Sequence, residues 1–199
     1  MHVDYYMVPN SPWTYLGHER LAKIAAETGA TIAIKPMDLG KIFPLSGGLP
    51  LPKRAPQRQA YRLVELARFR DHLGIPLNIH PAFFPVPADA ASALIVAANQ
   101  NGGTAAAMKL AGALLRAVWA EERNIADADT LAALVQSCGL PPELVKAASS
   151  EAVQAEYHAN TEAAIALGVF GAPTYVINGE MFWGQDRLEF VERALKQGA

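Results

Sequence analysis

The sequence contains a single cysteine, Cys138, among 199 residues. One cysteine excludes an internal disulfide and a zinc site built from cysteines alone, and we therefore expect a reducing, cytoplasmic setting. The first twelve residues lack the basic and then apolar segment of a secretory signal, and no run approaches the roughly 20 apolar residues of a membrane-spanning helix. The sequence thus predicts a protein that is neither exported nor bound to a membrane.

Charged residues are also sparse, at 18% of the chain, whereas 51% of the residues are apolar. Such a composition is typical of a globular protein with a large interior. The 17 Lys and Arg residues face 19 Asp and Glu residues, for a formal net charge of -2, so no overall positive field attracts nucleic acid. Any anion that the protein recognises must be bound by a local cluster of basic side chains.

The opening of the chain has the pattern of a β-α-β unit. Residues 2–8 and 31–35 have strand-like composition, and apolar residues recur at helical spacing between Pro12 and Gly29. Ser11 can cap this helix with its hydroxyl, and proline is tolerated at the first helical position because its missing N–H is not needed there. Two strands joined by a helix predict a parallel pair.

The middle of the chain is predicted to be a loop followed by helices. Residues 40–56 contain four prolines and a Gly-Gly pair, which predicts a long loop. Residues 57–167 are helical in pattern, with a second proline-rich connection at 75–87. After it, two helices are expected at 90–98 and 105–122, and Asp89 is predicted to cap the first of them.

The end of the chain returns to strand-like composition. Residues 174–177 and 181–183 are predicted to pair antiparallel across the Asn178–Gly179 turn. A final amphipathic helix follows, with apolar residues at Leu188, Val191 and Leu195.

This order of elements predicts an α/β, thioredoxin-like fold (βαβ, then ββα) with a large all-helical insertion. We predict a thioredoxin-like domain formed by residues 1–38 and 168–199. Residues 39–167 are predicted to form the insertion, as a loop plus a helical subdomain.

Ser11 is the first candidate for chemistry, because it lies between the carboxyl end of a strand and the amino end of a helix. Backbone N–H groups and the helix dipole stabilise an anion at such a position. Redox proteins with a thioredoxin-like fold carry a C-x-x-C motif in this turn, but residues 11–14 contain no sulfur and Cys138 is distant in sequence, which argues against dithiol exchange. From local sequence alone, a simple capping role for Ser11 is favoured.

Two other kinds of site are disfavoured. The sequence has no G-x-S-x-G motif, and none of its five histidines lies in a recognisable partner motif, which argues against a triad hydrolase. It also has no H-x-x-x-H motif, so no metal site is predicted.

Further candidates lie near the end of the chain and after the proline-rich loop. Pro173 begins a predicted strand, where it either starts an edge strand or follows a cis peptide bond. Lys53, Arg54, Arg58 and Arg62 are basic, and the last three are spaced by four residues, which places them on one helix face. Such a face is more often solvated than an anion site, and both interpretations stay open.

Two segments resemble those of one protein family. The opening V-D-Y-Y and S-P-W-T-Y-L, and the closing G-V-F-G-A-P-T-Y-V-I-N-G-E-M-F-W-G-Q-D-R-L, are similar to the glutathione-dependent 2-hydroxychromene-2-carboxylate isomerases. That family is related to the kappa-class glutathione transferases and the DsbA-type oxidoreductases. The resemblance spans nearly the whole chain and implies glutathione as cofactor, a small aromatic carboxylate as substrate and a homodimer.

The resemblance also implies roles for Ser11 and the Ala172–Pro173 pair. Ser11 would stabilise the glutathione thiolate, because a hydroxyl donor and a helix N-terminus both favour the ionised form of a thiol. Pro173 would be a cis-proline, and the backbone of Ala172 would pair with glutathione like an added strand.

The segment that follows the last strand would hold the γ-glutamyl end of glutathione. Its members are Trp183, Gly184, Gln185 and Asp186, and Asp186 would face the ammonium group. An acidic residue at the start of a helix also complements the dipole without any ligand.

Lys53 and Arg54 fall where the family binds its substrate, and a cationic pair suits an aromatic carboxylate. The chain departs from the family at two places near the site. Pro9-Asn10 replaces the usual approach to the serine, and Phe43, with Lys41 nearby, stands where some members have a lysine.

Three functions are therefore open at this point. The first is an isomerase in which glutathione is recycled, and the second is a kappa-like transferase or peroxidase in which glutathione is consumed. The third is a non-catalytic thioredoxin-like protein that binds extended peptides. Glutathione affinity separates the third from the others, and consumption of glutathione separates the first from the second.

Overall fold

The computed structural model describes residues 1–197, which form four strands and eight α-helices. In chain order the elements are β1 (His2–Met7), α1 (Pro12–Thr28), β2 (Thr31–Pro36), α2 (Leu39–Ser46), α3 (Pro56–Leu73), α4 (Asp89–Trp119), α5 (Ala128–Ser137), α6 (Glu143–Ala147), α7 (Glu151–Ala166), β3 (Thr174–Ile177), β4 (Glu180–Trp183) and α8 (Leu188–Gln197). The predicted α/β order, with helices between a βαβ and a ββα unit, is confirmed.

The four strands form one mixed sheet in the order β2-β1-β3-β4. Strand β1 is parallel to β2 and antiparallel to β3, so Tyr5 lies between Ile34 and Tyr175. Asn178 and Gly179 both have positive φ, at 50° and 83°, as a two-residue turn between twisted antiparallel strands requires. The predicted hairpin of β3 and β4 is therefore confirmed.

Helix α1 begins and ends as its sequence predicts. The Ser11 hydroxyl oxygen accepts a hydrogen bond from the Thr14 backbone N–H at 3.2 Å, and Pro12 occupies the first helical position. Gly29 ends the helix in the left-handed conformation, with φ 66°.

The expectation of a continuous loop at 40–56 is wrong in part. Residues 39–46 form α2, and a short 3-10 turn covers 51–53. The Asp38 carboxylate caps α2 by accepting from the Gly40 N–H at 2.7 Å, and the helix buries Ile42 against the core. Pro44 lies inside this two-turn helix, where the capping bond and the buried side chain offset the donor that proline lacks.

Asp89 does not cap α4 as predicted. The capping position belongs to Ala88, and Asp89 is the first residue of the helix, where its carboxylate accepts from the Tyr157 hydroxyl at 3.0 Å. The two helices expected in this region are present within α4, which is interrupted at Gly103 by non-helical backbone with φ 72° and ψ -179°. Glycine adopts this conformation readily, and it produces a kink between the two helical parts.

A single large cluster of buried side chains joins the sheet to the helices. It includes Val3 and Tyr5 from β1 together with Ile95, Leu114 and Trp119 from α4. This core crosses the predicted boundary at residues 38 and 39, and the division into two parts stays a prediction. Residues 198–199 of the predicted thioredoxin-like part lie outside the described residues. No helix within 1–197 has the length and apolar content needed to cross a membrane.

His18 is buried between α1, the sheet and α4. Its Nδ1 lies 3.2 Å from the Tyr5 hydroxyl, and its Nε2 lies 2.9 Å from the Met108 carbonyl oxygen. A neutral imidazole satisfies both contacts, because Nε2–H donates to the carbonyl while Nδ1 accepts from the tyrosine. Burial lowers the pKa of His18 below its usual value, although the Met108 contact opposes this.

We expect the protein to lose stability as the pH falls below about 6.5, the ordinary pKa of histidine. Below that pH His18 is protonated in the unfolded chain, whereas in the folded protein it stays neutral until the pH reaches its lowered pKa. The free energy of unfolding should then fall by up to about 1.4 kcal/mol per pH unit until the folded pKa is reached. Urea unfolding at pH 8, 7, 6 and 5 measures this.

The control compares two variants. His18→Gln should have a shallower dependence between pH 7 and 5 than the wild type, whereas His80→Gln, at an exposed position, should keep the wild-type slope. Equal slopes in all three proteins would contradict the role given to His18.

Candidate active site

A cavity of about 910 Å³ opens where β1 ends and α1 begins. Its wall combines three parts of the chain that are far apart in sequence. The cap of α1 contributes Ser11, the segment before β3 contributes Ala172, and the end of β4 contributes Trp183. The third part, at and just before the start of α3, contributes arginines. The fold thus places four of the nine predicted site residues on the wall of one cavity: Ser11, Arg54, Ala172 and Trp183.

Ser11 both caps α1 and faces the cavity. Its side-chain oxygen uses a lone pair to accept from Thr14, and its own backbone N–H donates to the Val8 carbonyl at 3.1 Å. A hydroxyl that accepts in a cap still carries a proton to donate. The two roles considered from the sequence are therefore compatible, and the hydroxyl can donate to an anion at the helix N-terminus.

Ala172 presents open backbone at the cavity wall. The Ala172–Pro173 peptide bond is cis, as the resemblance implied, and the Pro173 carbonyl accepts from the Gly184 N–H at 2.9 Å. Within residues 1–197, neither the N–H nor the C=O of Ala172 has a backbone partner. An extended ligand can pair with both groups in the manner of a strand.

Only the first member of the segment from Trp183 to Asp186 lies on the cavity wall. The Trp183 ring is half exposed, with its centroid 4.8 Å from that of Phe170. Gly184 has φ 102°, a conformation that suits glycine, and it turns the chain away from β4.

The next two residues of this segment are engaged elsewhere. Gln185 is buried against α1, and its backbone and side-chain oxygens accept from Arg20 at 3.1 and 2.6 Å. The Asp186 carboxylate accepts from Arg187 at 2.7 Å.

Three arginines line the cavity, Arg54, Arg58 and Arg62. Arg54 is half-buried, its Nε donates to the Leu49 carbonyl at 2.8 Å, and its guanidinium lies 6.0 Å from the Phe43 ring. Lys53 is exposed to solvent and lies outside the cavity wall. The prediction that these three arginines share one helix face is wrong for Arg54, which precedes α3 in extended backbone, whereas Arg58 and Arg62 lie on α3. All three nevertheless line the cavity, although Arg58 is also exposed to solvent.

Arg62, like Arg58, lines the cavity although the sequence did not lead us to assign it to the substrate. Its guanidinium lies 5.0 Å from the Phe84 ring centroid and 5.7 Å from that of Trp119. Burial, and secondarily the charge of Arg54, lower the pKa of Arg62 to about 10, so it stays protonated at neutral pH. The sequence shows the spacing of the arginines, but it does not show that Phe84 lies against Arg62 at the cavity wall.

Two hydrogen bonds bring Phe84 to this position. The Asn10 side chain donates to the Val86 carbonyl at 2.8 Å, and the Tyr15 hydroxyl donates to the Pro76 carbonyl at 2.7 Å. They attach the proline-rich connection between α3 and α4 to the start of α1.

The acidic groups of the cavity are already engaged. The Asp38 carboxylate caps α2, and Asp89 accepts from Tyr157, whose pKa is raised by burial and by the charge of Asp89. The cavity therefore offers guanidinium groups and aromatic rings to a ligand, which suits a flat anionic molecule.

Metal and protein thiol chemistry find no support at this site. The part of the chain that the structure describes contains no group of three or more His, Cys, Asp or Glu side chains placed to hold a metal ion. Cys138 is buried away from the cavity, and burial raises the pKa of its thiol. Cys138 is therefore not placed to act with Ser11.

Comparisons with known proteins identify the family of this chain. Residues 2–196 match the family of DSBA-like thioredoxin domains. The chain is 33% identical over 199 residues to a 2-hydroxychromene-2-carboxylate isomerase of Pseudomonas putida, covering 98% of this chain and 94% of that protein. It is 24% identical to glutathione S-transferase kappa 1 of Rattus norvegicus, covering 91% and 84% of the two chains.

Solved structures share the fold of this chain. A 2-hydroxychromene-2-carboxylate isomerase structure superposes with a TM-score of 0.84 at 30% identity, covering 99% of this chain and 95% of that one. The cytosolic disulfide reductase DsbM of Pseudomonas aeruginosa, solved with GSH, has a TM-score of 0.68 at 21% identity, with coverages of 99% and 96%.

The thioredoxin-like fold with helices inserted between its two halves is thus shared with relatives over nearly the full length of the chain. The chain belongs to the 2-hydroxychromene-2-carboxylate isomerase family of enzymes, within the DSBA-like thioredoxin-domain proteins.

Proposed function

We propose that this protein is a glutathione-dependent isomerase that interconverts 2-hydroxychromene-2-carboxylate and trans-o-hydroxybenzylidenepyruvate. One observation carries the proposal: a single cavity joins a hydroxyl at a helix N-terminus, an open backbone edge and a wall of arginines and aromatic rings. The first two features suit a thiol peptide, and the third suits an aromatic carboxylate. The names of the relatives give the reaction its chemical class.

Glutathione fits the edge at Ala172. Its peptide backbone can pair with the N–H and C=O of Ala172, which extends the sheet by a short strand. Its cysteinyl sulfur would then lie near Ser11 at the start of α1. The kappa-class relative and the DsbM structure with GSH support the choice of this cofactor.

The γ-glutamyl end of glutathione is assigned to the segment from Trp183 to Asp186. Trp183 lies on the cavity wall and offers a flat apolar surface. Asp186 would accept from the ammonium group in exchange for its exposed contact with Arg187, which is weak because both groups face solvent. The buried Gln185 would position this segment through its bonds to Arg20.

The protein's main contribution to the reaction is to hold charge at fixed positions. Bound glutathione would supply a thiolate that adds to the conjugated double bond of the ring-opened substrate, permits rotation and leaves unchanged. The Ser11 hydroxyl donates a hydrogen bond to the thiolate, and the N–H groups of α1 stabilise the same charge. Arg54 binds the substrate carboxylate and orients the chain of conjugated bonds, while Lys53 adds positive charge nearby.

The kappa-class relative favours a second candidate, a transferase or peroxidase that consumes glutathione at the same site. The non-catalytic peptide-binding alternative is set aside, because the chain belongs to a family of isomerases. A cytoplasmic location and a homodimer stay predictions.

The proposed reaction is tested by following 2-hydroxychromene-2-carboxylate by absorbance, with and without glutathione, and counting free thiols at the end. We expect conversion that requires glutathione and leaves the thiol count unchanged. Conversion with an equal loss of thiol would establish the transferase instead. No conversion, together with measured glutathione binding, would keep the cofactor and reject this substrate.

Substitution of the helix cap tests the role of Ser11. Ser11→Ala should lower kcat by about 10- to 100-fold, because a hydrogen bond to a charged group contributes roughly 1.5–3 kcal/mol. The acidic limb of the pH–rate profile should also move to higher pH, since the bound thiol loses a donor that lowers its pKa. Glutathione affinity should change little.

A second helix cap gives the matched control. Ser150 caps α7 by accepting from the Val153 N–H at 3.4 Å and lies outside the cavity wall. Each Ser→Ala change should cost about 1 kcal/mol of stability, measured by urea unfolding. If Ser150→Ala slows turnover as much as Ser11→Ala, the role of Ser11 is purely structural.

A further inference from the structure

We propose that Arg62 determines substrate specificity by binding an acidic group on the ring system of the aromatic ligand. With Phe84, which also lines the cavity, it forms a second anion subsite, separate from the carboxylate contact assigned to Arg54. The inference deepens the proposed function, on which it rests for the class of ligand. It predicts that a second acidic group on the ring strengthens the binding of an aromatic carboxylate.

The first observation is that no protein carboxylate neutralises Arg62. Two other arginines on α3 are paired, Arg68 with Glu65 and Arg70 with Asp71, each at 2.7 Å. Among residues 1–197, Arg62 has no such pair, and its Nη2 is buried without a hydrogen-bond partner. A buried donor without an acceptor is costly, and an anionic oxygen from a ligand would satisfy it.

The second observation is a neighbouring donor in the same condition. Trp119 is fully buried, and its indole N–H has no acceptor in the described part of the chain. Its ring centroid lies 4.7 Å from that of Phe84, whose ring also lies under the Arg62 guanidinium. Trp119 does not line the cavity, so Arg62 is the one of these two residues that lies on its wall.

The surroundings define what kind of anion fits. The guanidinium lies against Phe84 and Trp119, so an acidic group on a flat ring can reach it while the ring packs on apolar surface. Burial lowers the pKa of Arg62 only to about 10, and the group stays cationic at neutral pH. A sulfonate, carboxylate or phenolate on the ring has the required charge.

The position of Arg62, rather than the overall charge of the cavity, favours a second acidic group. The wall carries three guanidiniums and the two carboxylates of Asp38 and Asp89, a formal net charge of +1. Both carboxylates accept from other donors, the Gly40 N–H and the Tyr157 hydroxyl. An acidic group on the ring of a ligand can therefore pair with Arg62, beside the ring of Phe84.

Isothermal titration with two naphthalene ligands tests the subsite. The dianion is 2,6-naphthalenedicarboxylate, and its monomethyl ester is a monoanion with the same ring. At pH 7.5 and fixed ionic strength, the wild type should bind the dianion about tenfold more tightly than the ester. Arg62→Met should reduce this ratio to about one and change the affinity for the ester by less than about twofold.

Arg68→Met is the matched control, because Arg68 lies on the same helix but outside the cavity wall. It should keep the tenfold preference. Arg62→Gln is the second neutral variant and should behave like Arg62→Met, so that one poorly folded protein does not decide the result. Circular dichroism establishes that each variant is folded.

Three results would overturn the inference. The first is a wild type without preference for the dianion, and the second is a preference that survives in a folded neutral variant. The third is a tenfold loss of glutathione affinity in Arg62→Met, which would assign the guanidinium to the cofactor. These binding results do not depend on turnover, so a failure of the isomerase assay stays distinguishable from a failure of the subsite.

Discussion

The active site depends on the hydrogen bond that the Ser11 hydroxyl accepts from the Thr14 N–H. This bond fixes the start of α1 at the carboxyl end of β1 and leaves the hydroxyl proton free to face the cavity. Because the remaining N–H groups of the first turn point in the same direction, the position favours a negative charge. A protein without a thiol in this turn can therefore still stabilise a thiolate that a ligand brings.

The rest of the cavity is assembled around that turn by contacts between distant segments. Asn10 and Tyr15 attach the connection between α3 and α4 through backbone carbonyls, which brings Phe84 against the first turn of α1. The antiparallel pairing of β3 with β1 places Ala172 on the other side. Arg54, just before α3, and Arg58 and Arg62 on α3 add positive charge, so a hydroxyl, an open backbone edge and guanidinium groups line one cavity.

Local chemistry made several elements predictable. Ser11, Pro12 and Gly29 define the bounds of α1, and the Asn178–Gly179 pair defines the hairpin, because capping and turn geometry depend on adjacent residues. Residues 39–46 and Asp89 were predicted wrongly for the opposite reason. Helix α2 is stabilised by the burial of Ile42, and Asp89 is bound by Tyr157, which lies 68 positions away in the chain.

The sequence by itself determined the order of strands and helices, the absence of a redox cysteine pair and the family to which the two terminal segments belong. Those properties follow from residue types and their spacing. Only the tertiary structure decided which arginines face the cavity, that Lys53 lies outside its wall and that Gln185 is buried. The reason is physical: a helical spacing tells which side chains share a face, but the direction of that face depends on what packs against the helix.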